Sequence, residues 1–227
     1  MDVYPIFLTG LTNRRCVVIG GAHEAERKVA GLLECAAAVT VISPDLTPQL
    51  QTWAREGTVT WISRAYTHGD LQHAFLVIAA DVDDPTADAV YQEANDVGAL
   101  INVTDDPAHS NFVAGSVVRQ GPLTISISTS GSAPALAVRL RQQLEREFGP
   151  EYAILLSLLR ELRETVAKRY PNAQERRNLW YQLLDSDLLE LLRAGHYDLA
   201  QQLIALLIGD DAISAAQFAT RREVDGA

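Results

Sequence analysis

Apolar runs of strand length alternate with helical stretches through the first half of the chain. The runs are rich in Val and Ile, and the segments between them repeat apolar residues at helical spacing. This alternation predicts an α/β fold built on a doubly wound parallel sheet. The predicted strands lie at 15–20, 39–43, 59–62, 75–80 and 100–104, and the predicted helices at 22–36, 46–56 and 85–98.

The pattern changes after residue 106. Residues 123–129 alternate between apolar and hydroxyl side chains and predict a strand, which leads through a Ser- and Gly-rich turn into a helix over 135–148. From 150 to 208 the apolar residues recur with the spacing of amphipathic helices. We therefore expect a sheet domain over 1–112, a small region over 113–149, a helical domain over 150–208 and a loosely ordered tail over 209–227.

The first strand runs directly into a glycine turn. Gly20 and Gly21 follow the apolar residues Cys16 to Ile19, and a helical segment begins at Ala22. Strand, glycine turn and helix together form the start of a Rossmann-like dinucleotide site, where helical N–H groups hold a pyrophosphate. At G-x-G-x-x-A spacing, Ala22 stands in the second glycine position. A turn that only packs a helix on a strand is the alternative.

Four predicted strands end on residues that we expect to share one crevice. Gly20, Ser43, Ala80 and Asp105 lie at the carboxyl ends, where parallel sheets bind their ligands. Ser43 takes the place of the usual ribose-binding acid, with Asp45 two residues later. No Arg or Lys adjoins them, which favours NAD over NADP.

Asp105 is the candidate catalytic residue. A carboxylate at the end of the fifth strand can accept a proton while a hydride leaves for the cofactor. The alternative is that Asp105, Asp106 and Pro107 only form a turn, which Asp before Pro favours. His109, nearby, is expected to be a surface residue.

Charge is distributed unevenly along the chain. The net charge of −10 over 227 residues argues against general nucleic-acid binding. Residues 1–110 carry six basic and 15 acidic side chains, whereas residues 119–177 carry ten basic and six acidic ones. The local basic excess suggests a site for an anionic ligand, and ordinary surface ion pairs are the alternative. Hydroxyl and backbone N–H groups at the start of the 135–148 helix are suited to bind a carboxylate. The alternative is that Ser132 is an ordinary N-cap of this helix.

Several classes of protein are not expected from the sequence. No apolar run approaches the length of a membrane span, and the first residues lack the features of a signal peptide. Cys16 and Cys35 lie in apolar settings that favour reduced thiols and a cytoplasmic location. The five His and two Cys residues form no recognised metal-ligand spacing, so no metal site is predicted.

Two blocks of sequence together resemble the precorrin-2 dehydrogenase family, the dehydrogenase part of sirohaem synthases. The resemblance extends from about residue 3 to residue 208, and the order and spacing of its motifs carry it. The first block comprises Tyr4 to Leu8, Val18 to Gly21, Ala25 to Lys28, Val39 to Val41, Ser43 and Pro44. The second comprises Asn102 to Pro107, Phe112, Gly121 to Leu123, Ile127 to Thr129, Gly131 to Ala137, Leu140 and Arg141.

This resemblance implies NAD-dependent oxidation of precorrin-2 to sirohydrochlorin by a homodimer. It implies a Rossmann NAD-binding domain at 1–112, a dimerisation region at 113–149 and a helical domain at 150–208. The family's proton- and metal-handling aspartate falls on Asp105. The implied NAD contacts are Gly20, Gly21, Ala22, His23, Glu24, Ser43, Pro44, Asp45 and Ala80. Tetrapyrrole contacts are expected at Asn102, Ser128, Thr129, Arg119, Arg139 and Arg141.

The chain also departs from the family pattern near the cofactor. Ala22 replaces the third of three successive glycines, and Ala79 to Asp83 differs from the family's usual Ala-Ala-Thr-Asp-Asp. Two alternatives to a dehydrogenase alone therefore stay open. One is an enzyme that also inserts iron into sirohydrochlorin; the other is a tetrapyrrole-binding protein with a degenerate cofactor site.

Overall fold

The computed structural model describes residues 3–209 and comprises two compact units. Their boundary lies between Ala114 and Gly115. Apart from Gly209, the predicted tail lies outside the described residues.

The first unit is a five-stranded parallel sheet flanked by three helices. The strands are β1 (Arg15–Ile19), β2 (Ala38–Ile42), β3 (Thr60–Ile62), β4 (Leu76–Ala79) and β5 (Leu100–Val103), in the spatial order β3-β2-β1-β4-β5. The helices are α1 (His23–Leu33), α2 (Pro48–Arg55) and α3 (Asp84–Asp96). The strand order reverses between β1 and β4, and this creates the switch point at which such sheets bind ligands. This confirms the predicted α/β class.

Both faces of the sheet are covered, which explains its continuous apolar strands. On one face, Val18 packs in a cluster with Val29 of α1 and Leu50 of α2. On the other, Val17 packs with Val90 of α3. Adjacent residues of β1 therefore belong to different cores, and both Val17 and Val18 are fully buried.

The second unit begins with an antiparallel hairpin of β6 (Ser116–Gln120) and β7 (Leu123–Ile127). Gly121, with φ of +54°, forms the turn together with Pro122. The sequence pattern predicts β7 but misses β6. Only one β6 residue, Val118, is fully buried, so the apolar signal of this strand is weak and its pairing with β7 defines it.

Five helices follow the hairpin: α4 (Pro134–Glu147), α5 (Glu151–Arg169), α6 (Ala173–Leu184), α7 (Leu188–Arg193) and α8 (Tyr197–Ile208). The last four bury one shared cluster that includes Leu158, Leu183, Leu188 and Ile204. The helical periodicity over 150–208 predicts this packing. Within the described part of the chain, no helix has the length and apolar character needed to cross a membrane.

Candidate functional site

The turn between β1 and α1 requires glycine at two positions. Gly20 has φ of +112°, and a Cβ there would lie 2.0 Å from the carbonyl oxygen of Ala80. A Cβ on Gly21 would lie 1.9 Å from the carbonyl oxygen of Asp45. The two glycines therefore let the turn approach the ends of β4 and β2 more closely than any side chain permits.

Ala22 does not need to be glycine. Its φ of −86° and ψ of −169° are extended backbone that any residue adopts. Ala22 is also the N-cap of α1 and provides no side-chain cap, which leaves first-turn N–H groups available for an anionic ligand. An alanine at the position where the resemblance leads us to expect glycine is therefore compatible with the geometry of the turn.

A cleft of about 640 Å³ opens beside this turn. Its wall combines the glycine turn, the loop after β2, two residues of the loop after β3 and the segment after β4. Seven of the predicted cofactor residues line it: Gly20, Gly21, Ala22, His23, Ser43, Pro44 and Asp45. The other lining residues are Ile19, Ile42, Leu46, Thr47, Ala65, Tyr66, Asp81, Val82, Asp83 and Thr86.

Hydrogen bonds fix the loop after β2 against the glycine turn. The hydroxyl of Ser43 donates to the carbonyl of Asp45 at 2.7 Å, and the indole of Trp61 donates to the carbonyl of Ser43 at 2.9 Å. The N–H of Thr47 donates to the carbonyl of Gly21 at 2.9 Å. This side of the cleft is therefore held by hydrogen bonds within the protein itself.

Ala80 and Glu24 are not among the residues that line the cleft. Ala80 is fully buried and packs beneath Gly20, so it supports the turn from below. The carboxylate of Glu24 accepts hydrogen bonds from Arg27, with its Nε at 2.9 Å, and pairs with Lys28 at 3.4 Å. The Arg27 hydrogen bond is the main reason that the pKa of Glu24 is lowered. The cofactor contacts predicted for Ala80 and Glu24 stay predictions.

Asp105 follows β5 in a left-handed conformation, with φ of +62°. The N–H of Asp106 donates to the carbonyl of Val103 at 3.2 Å and closes the turn around it. Asp105 is exposed. The pKa of Arg27 is raised, mainly by its bond to Glu24 and in smaller part by the charge of Asp105. Arg27 thus provides positive charge near the candidate catalytic carboxylate.

His109, which the sequence pattern assigns to the surface, is held between two carboxylates. Its Nδ1 lies 2.5 Å from Asp106 and its Nε2 lies 2.8 Å from Asp88 of α3. Its ring also meets the ring of Tyr91 edge-on, with 5.3 Å between centroids. The Asp106–His109 spacing is visible in the sequence, but the contact with α3 depends on the fold.

The sequence places Asn102 on the fifth strand, as the structure does, but it does not predict the hydrogen bond of Asn102 or the position of Tyr66. Asn102 is buried, and its amide donates to the carbonyl of Phe112 at 3.2 Å. The predicted substrate contact of Asn102 stays a prediction, and its amide is engaged within the fold. Tyr66 lines the cleft from a loop without regular secondary structure, where no periodic pattern marks it.

The predicted tetrapyrrole contacts other than Asn102 belong to the second unit. Ser128 and Thr129 follow β7, where their hydroxyls accept hydrogen bonds from the N–H groups of Ser130 and Ala133 at 3.1 and 3.3 Å. The remaining predicted contacts are arginines. Arg119 lies on β6 and Arg139 on α4, both exposed, and Arg141 pairs with Glu145. Their contact with a substrate stays a prediction.

Over residues 3–209, the structure brings together no group of three or more His, Cys, Asp or Glu side chains suited to hold a metal ion.

Three family models match consecutive parts of the chain. Residues 7–116 match the model described as "Putative NAD(P)-binding", residues 120–147 match "Sirohaem biosynthesis protein central", and residues 151–208 match "Sirohaem synthase dimerisation region". The dimerisation model thus covers the predicted helical domain. The central model covers part of 113–149, the segment to which the resemblance assigns dimerisation.

Curated relatives match most of this chain. "Siroheme synthase 3" of Aeromonas hydrophila is 35% identical over 218 residues, which cover 96% of this chain and 46% of the relative. "Siroheme synthase 2" of Yersinia enterocolitica is 37% identical over 189 residues, which cover 83% of this chain and 40% of the relative. The chain therefore spans less than half the length of these relatives.

A solved structure described as "SirC, precorrin-2 dehydrogenase" has the same fold. It superposes with a TM-score of 0.71 at 24% identity, over 82% of this chain and 91% of the other. The sequence motifs, the fold and the three consecutive family matches all indicate similarity to sirohaem synthases. The chain therefore matches sirohaem synthases over most of its own length, with NAD(P)-binding, sirohaem central and sirohaem synthase dimerisation regions in that order.

Proposed function

We propose that this chain catalyses the NAD-dependent oxidation of precorrin-2 to sirohydrochlorin. The observation that carries the proposal is the β1–α1 turn, in which Gly20 and Gly21 have no room for a Cβ and leave the N-terminus of α1 open beside a cleft. The names of the relatives and of the SirC structure supply the substrate class.

The residues present suit a nicotinamide dinucleotide. Gly20, Gly21 and Ala22 would hold the pyrophosphate through backbone N–H groups, and Asp45 lies at the ribose position after β2. Among the described residues that line the cleft there is no Lys or Arg to bind a 2′-phosphate. Asp45, Asp81 and Asp83 also line the cleft, and their negative charge would repel a 2′-phosphate, which supports NAD over NADP.

Asp105 is the proposed proton acceptor. The bound cofactor supplies a hydride acceptor, and a two-electron oxidation of the macrocycle also releases a proton to a base. Asp105 is exposed at the carboxyl end of β5. In the strand order, β5 lies on the opposite side of β1 from β2, the strand that Asp45 follows. Arg27 supplies positive charge near the Asp105 carboxylate.

The substrate is a flexible polycarboxylate, and its carboxylates call for cations. The basic excess over 119–177 supports a role for the second unit in this binding. Arg119, Arg139 and Arg141, with the hydroxyls of Ser128 and Thr129, are the proposed contacts.

We further propose that the chain works as a homodimer in a reducing, cytoplasmic setting. Large apolar side chains are exposed within residues 151–208, namely Tyr181, Leu184, Leu199 and Leu206. Such residues are typical of a surface that a second copy covers. Burial raises the pKa of the Cys16 thiol, which keeps it protonated and unreactive. Light scattering on the purified chain tests the dimer.

The test of the activity is product formation from precorrin-2 with NAD, followed by absorbance in metal-free buffer. Sirohydrochlorin that appears only when NAD is present supports the proposal. No product, from a chain that still binds the tetrapyrrole, would contradict it and favour the binding protein. Addition of ferrous iron to sirohydrochlorin without NAD tests the ferrochelatase alternative separately.

A further inference from the structure

The loop between β3 and β4, residues 63–75, forms one wall of the cleft although it has no regular secondary structure beyond turns. Ala65 and Tyr66 are the loop residues that line the cleft. Tyr66 is half-buried and packs against the apolar cluster beneath α3. Its ring is therefore fixed on one side by the core and borders the cleft on the other.

A buried carboxylate anchors this loop. Glu93 of α3 has 1% of its surface exposed. It accepts hydrogen bonds from the N–H groups of Gly69 at 3.0 Å and Leu71 at 2.9 Å, and a short one from the hydroxyl of Tyr66. Three donors around one buried carboxylate compensate its desolvation. The phenol group of Tyr66 is thereby directed away from solvent and held in one orientation.

An ion pair between two residues of the loop also stabilises it. The guanidinium of Arg64 forms a bidentate pair with Asp70, with both N–O distances at 2.6 Å. The N–H of Thr67 also donates to Asp70 at 2.9 Å. In the sequence, Tyr66 lies between Arg64 and Asp70. A loop without regular secondary structure is thus held by two carboxylates, those of Glu93 and Asp70, and Glu93 is buried.

The strand order identifies which end of the dinucleotide this wall faces. In such sheets the adenosine half binds on the side of β2, whose end contacts the ribose, and the nicotinamide half binds beyond β1 on the other side. Tyr66 follows β3, the neighbour of β2. Ile42 at the end of β2 and Val82 after β4 line the same cleft. Tyr66 and Ile42 thus lie on the adenosine side of the cleft, where the ring of Tyr66 offers an apolar surface suited to a flat base.

We propose that the ring of Tyr66 is the contact surface for the adenine of the bound dinucleotide, and that Glu93 is the positioning residue that holds this ring in place. The inference rests on the proposed function, because it assigns residues to the cofactor of that reaction. It also explains why a buried carboxylate is placed beneath an irregular loop, where an apolar residue would otherwise fill the core at lower cost.

Equilibrium binding by calorimetry with two halves of the cofactor tests the proposal. Tyr66→Ala is expected to weaken ADP-ribose about tenfold, in the range of base–aromatic contacts, and to leave nicotinamide mononucleotide unchanged. Tyr66→Phe keeps the ring and is expected to stay within about threefold of the wild type, since only the Glu93 bond is lost. Tyr4→Ala, which removes an exposed tyrosine of the same unit, is the matched control and is expected to bind ADP-ribose normally.

A second measurement does not depend on a variant that folds. In the wild-type complex with ADP-ribose, nuclear Overhauser effects are expected between the ring protons of one tyrosine and the adenine H2 or H8. Tyr66→Phe would move these signals to a phenylalanine ring and so assign them. Glu93→Gln disturbs the hydrogen bonds from Gly69 and Leu71 as well as the one from Tyr66. It is therefore expected to weaken ADP-ribose more than Tyr66→Phe does, with the ring still present, which a direct contact alone does not predict.

The outcomes separate this inference from the proposed function. If the wild type binds NAD and Tyr66→Ala binds ADP-ribose as tightly as the wild type does, the inference is overturned and the proposed function stands. Equal loss of ADP-ribose and mononucleotide binding in Tyr66→Ala would also overturn it, because the ring would then support the whole cleft. Tyrosine–adenine contacts in a chain without dehydrogenase activity would uphold the inference and contradict the function.

Discussion

The Nε2 of His109 lies 2.8 Å from the carboxylate of Asp88, while its Nδ1 lies 2.5 Å from Asp106. This imidazole therefore ties the segment just after Asp105 to α3. Asp106 also accepts the N–H groups of Ala108 and His109 at 3.0 and 3.3 Å, so the turn that carries Asp105 is fastened at its far end. The position of the proposed base thus depends on a charged contact between two elements that are distant in sequence.

The contacts of His109 with Asp106 and Asp88 predict a raised pKa for its imidazole. The hydrogen bond to Asp106 is the main cause, and the charges of Asp106 and Asp88 add to it. Because the folded pKa is raised, protonated His109 stabilises the fold fully below its ordinary value of 6.5. This contribution is lost as the pH rises through the folded pKa. Titration of the imidazole by NMR is expected to give a midpoint above 6.5, and Asp88→Asn is expected to lower it. A midpoint at or below 6.5 would contradict these contacts.

Substitutions at Gly21 and Ala22, adjacent residues of the glycine turn, are expected to differ in their effects on stability and NAD binding. Gly21→Ala places a Cβ 1.9 Å from the carbonyl of Asp45, so the loop after β2 must shift. We expect a loss of about 1–3 kcal/mol in the free energy of unfolding, together with loss of NAD binding. Urea unfolding and calorimetry measure the two effects.

Ala22→Gly is the matched control for that turn. The backbone of Ala22 is extended, so glycine there relieves no strain. Glycine is the better N-cap but loses more backbone entropy on folding, so we expect stability to change by no more than about 1 kcal/mol and NAD affinity to stay within about threefold. A large gain in NAD affinity would show instead that the Ala22 methyl obstructs the phosphates.

The loop that carries Tyr66 is expected to loosen in acid. The Arg64 hydrogen bond lowers the pKa of Asp70 from its ordinary value of 3.8 to about 2. Burial works to raise the pKa of Glu93, but hydrogen bonds from Tyr66, Leu71 and Gly69 outweigh burial and lower it. Both carboxylates therefore stabilise the fold above their ordinary values, and the stabilisation is lost as the pH falls toward 2.

Amide hydrogen exchange at Gly69 and Leu71 measures this loosening directly. Exchange corrected for its intrinsic pH dependence is expected to accelerate below about pH 4, before the strands of the sheet open. In Asp70→Asn the same acceleration is expected already at neutral pH. Protection that is unchanged down to pH 2.5 would contradict the role of these two carboxylates.

Local sequence signals predict the parts of the site that local geometry determines. The Gly20–Gly21 turn, the loop at Ser43 and the strand end at Asp105 follow from apolar runs and turn residues, and the structure places each at a carboxyl end of the sheet. Ala22 departs from the motif in sequence, yet its φ makes the change compatible with the turn.

Contacts between distant segments are what the sequence does not reveal. Glu93 binds Tyr66 across 27 positions, and His109 binds Asp88 across 21. Neither pair has a spacing that a helix or strand would mark. The strand β6 is missed for a related reason, since pairing with β7 forms it and its own apolar signal is weak. Long-range partners of this kind follow from the fold and not from periodicity.

The most direct test of the account compares Asp105→Asn with the wild type in an absorbance time course with precorrin-2 and NAD, without metal. We expect kcat to fall at least about a hundredfold, because the proton acceptor is lost, while NAD affinity stays unchanged. Thermal unfolding of both chains controls for the left-handed turn, which Asn tolerates. An Asp105→Asn variant that makes sirohydrochlorin at the wild-type rate would contradict the assignment of Asp105 as the base.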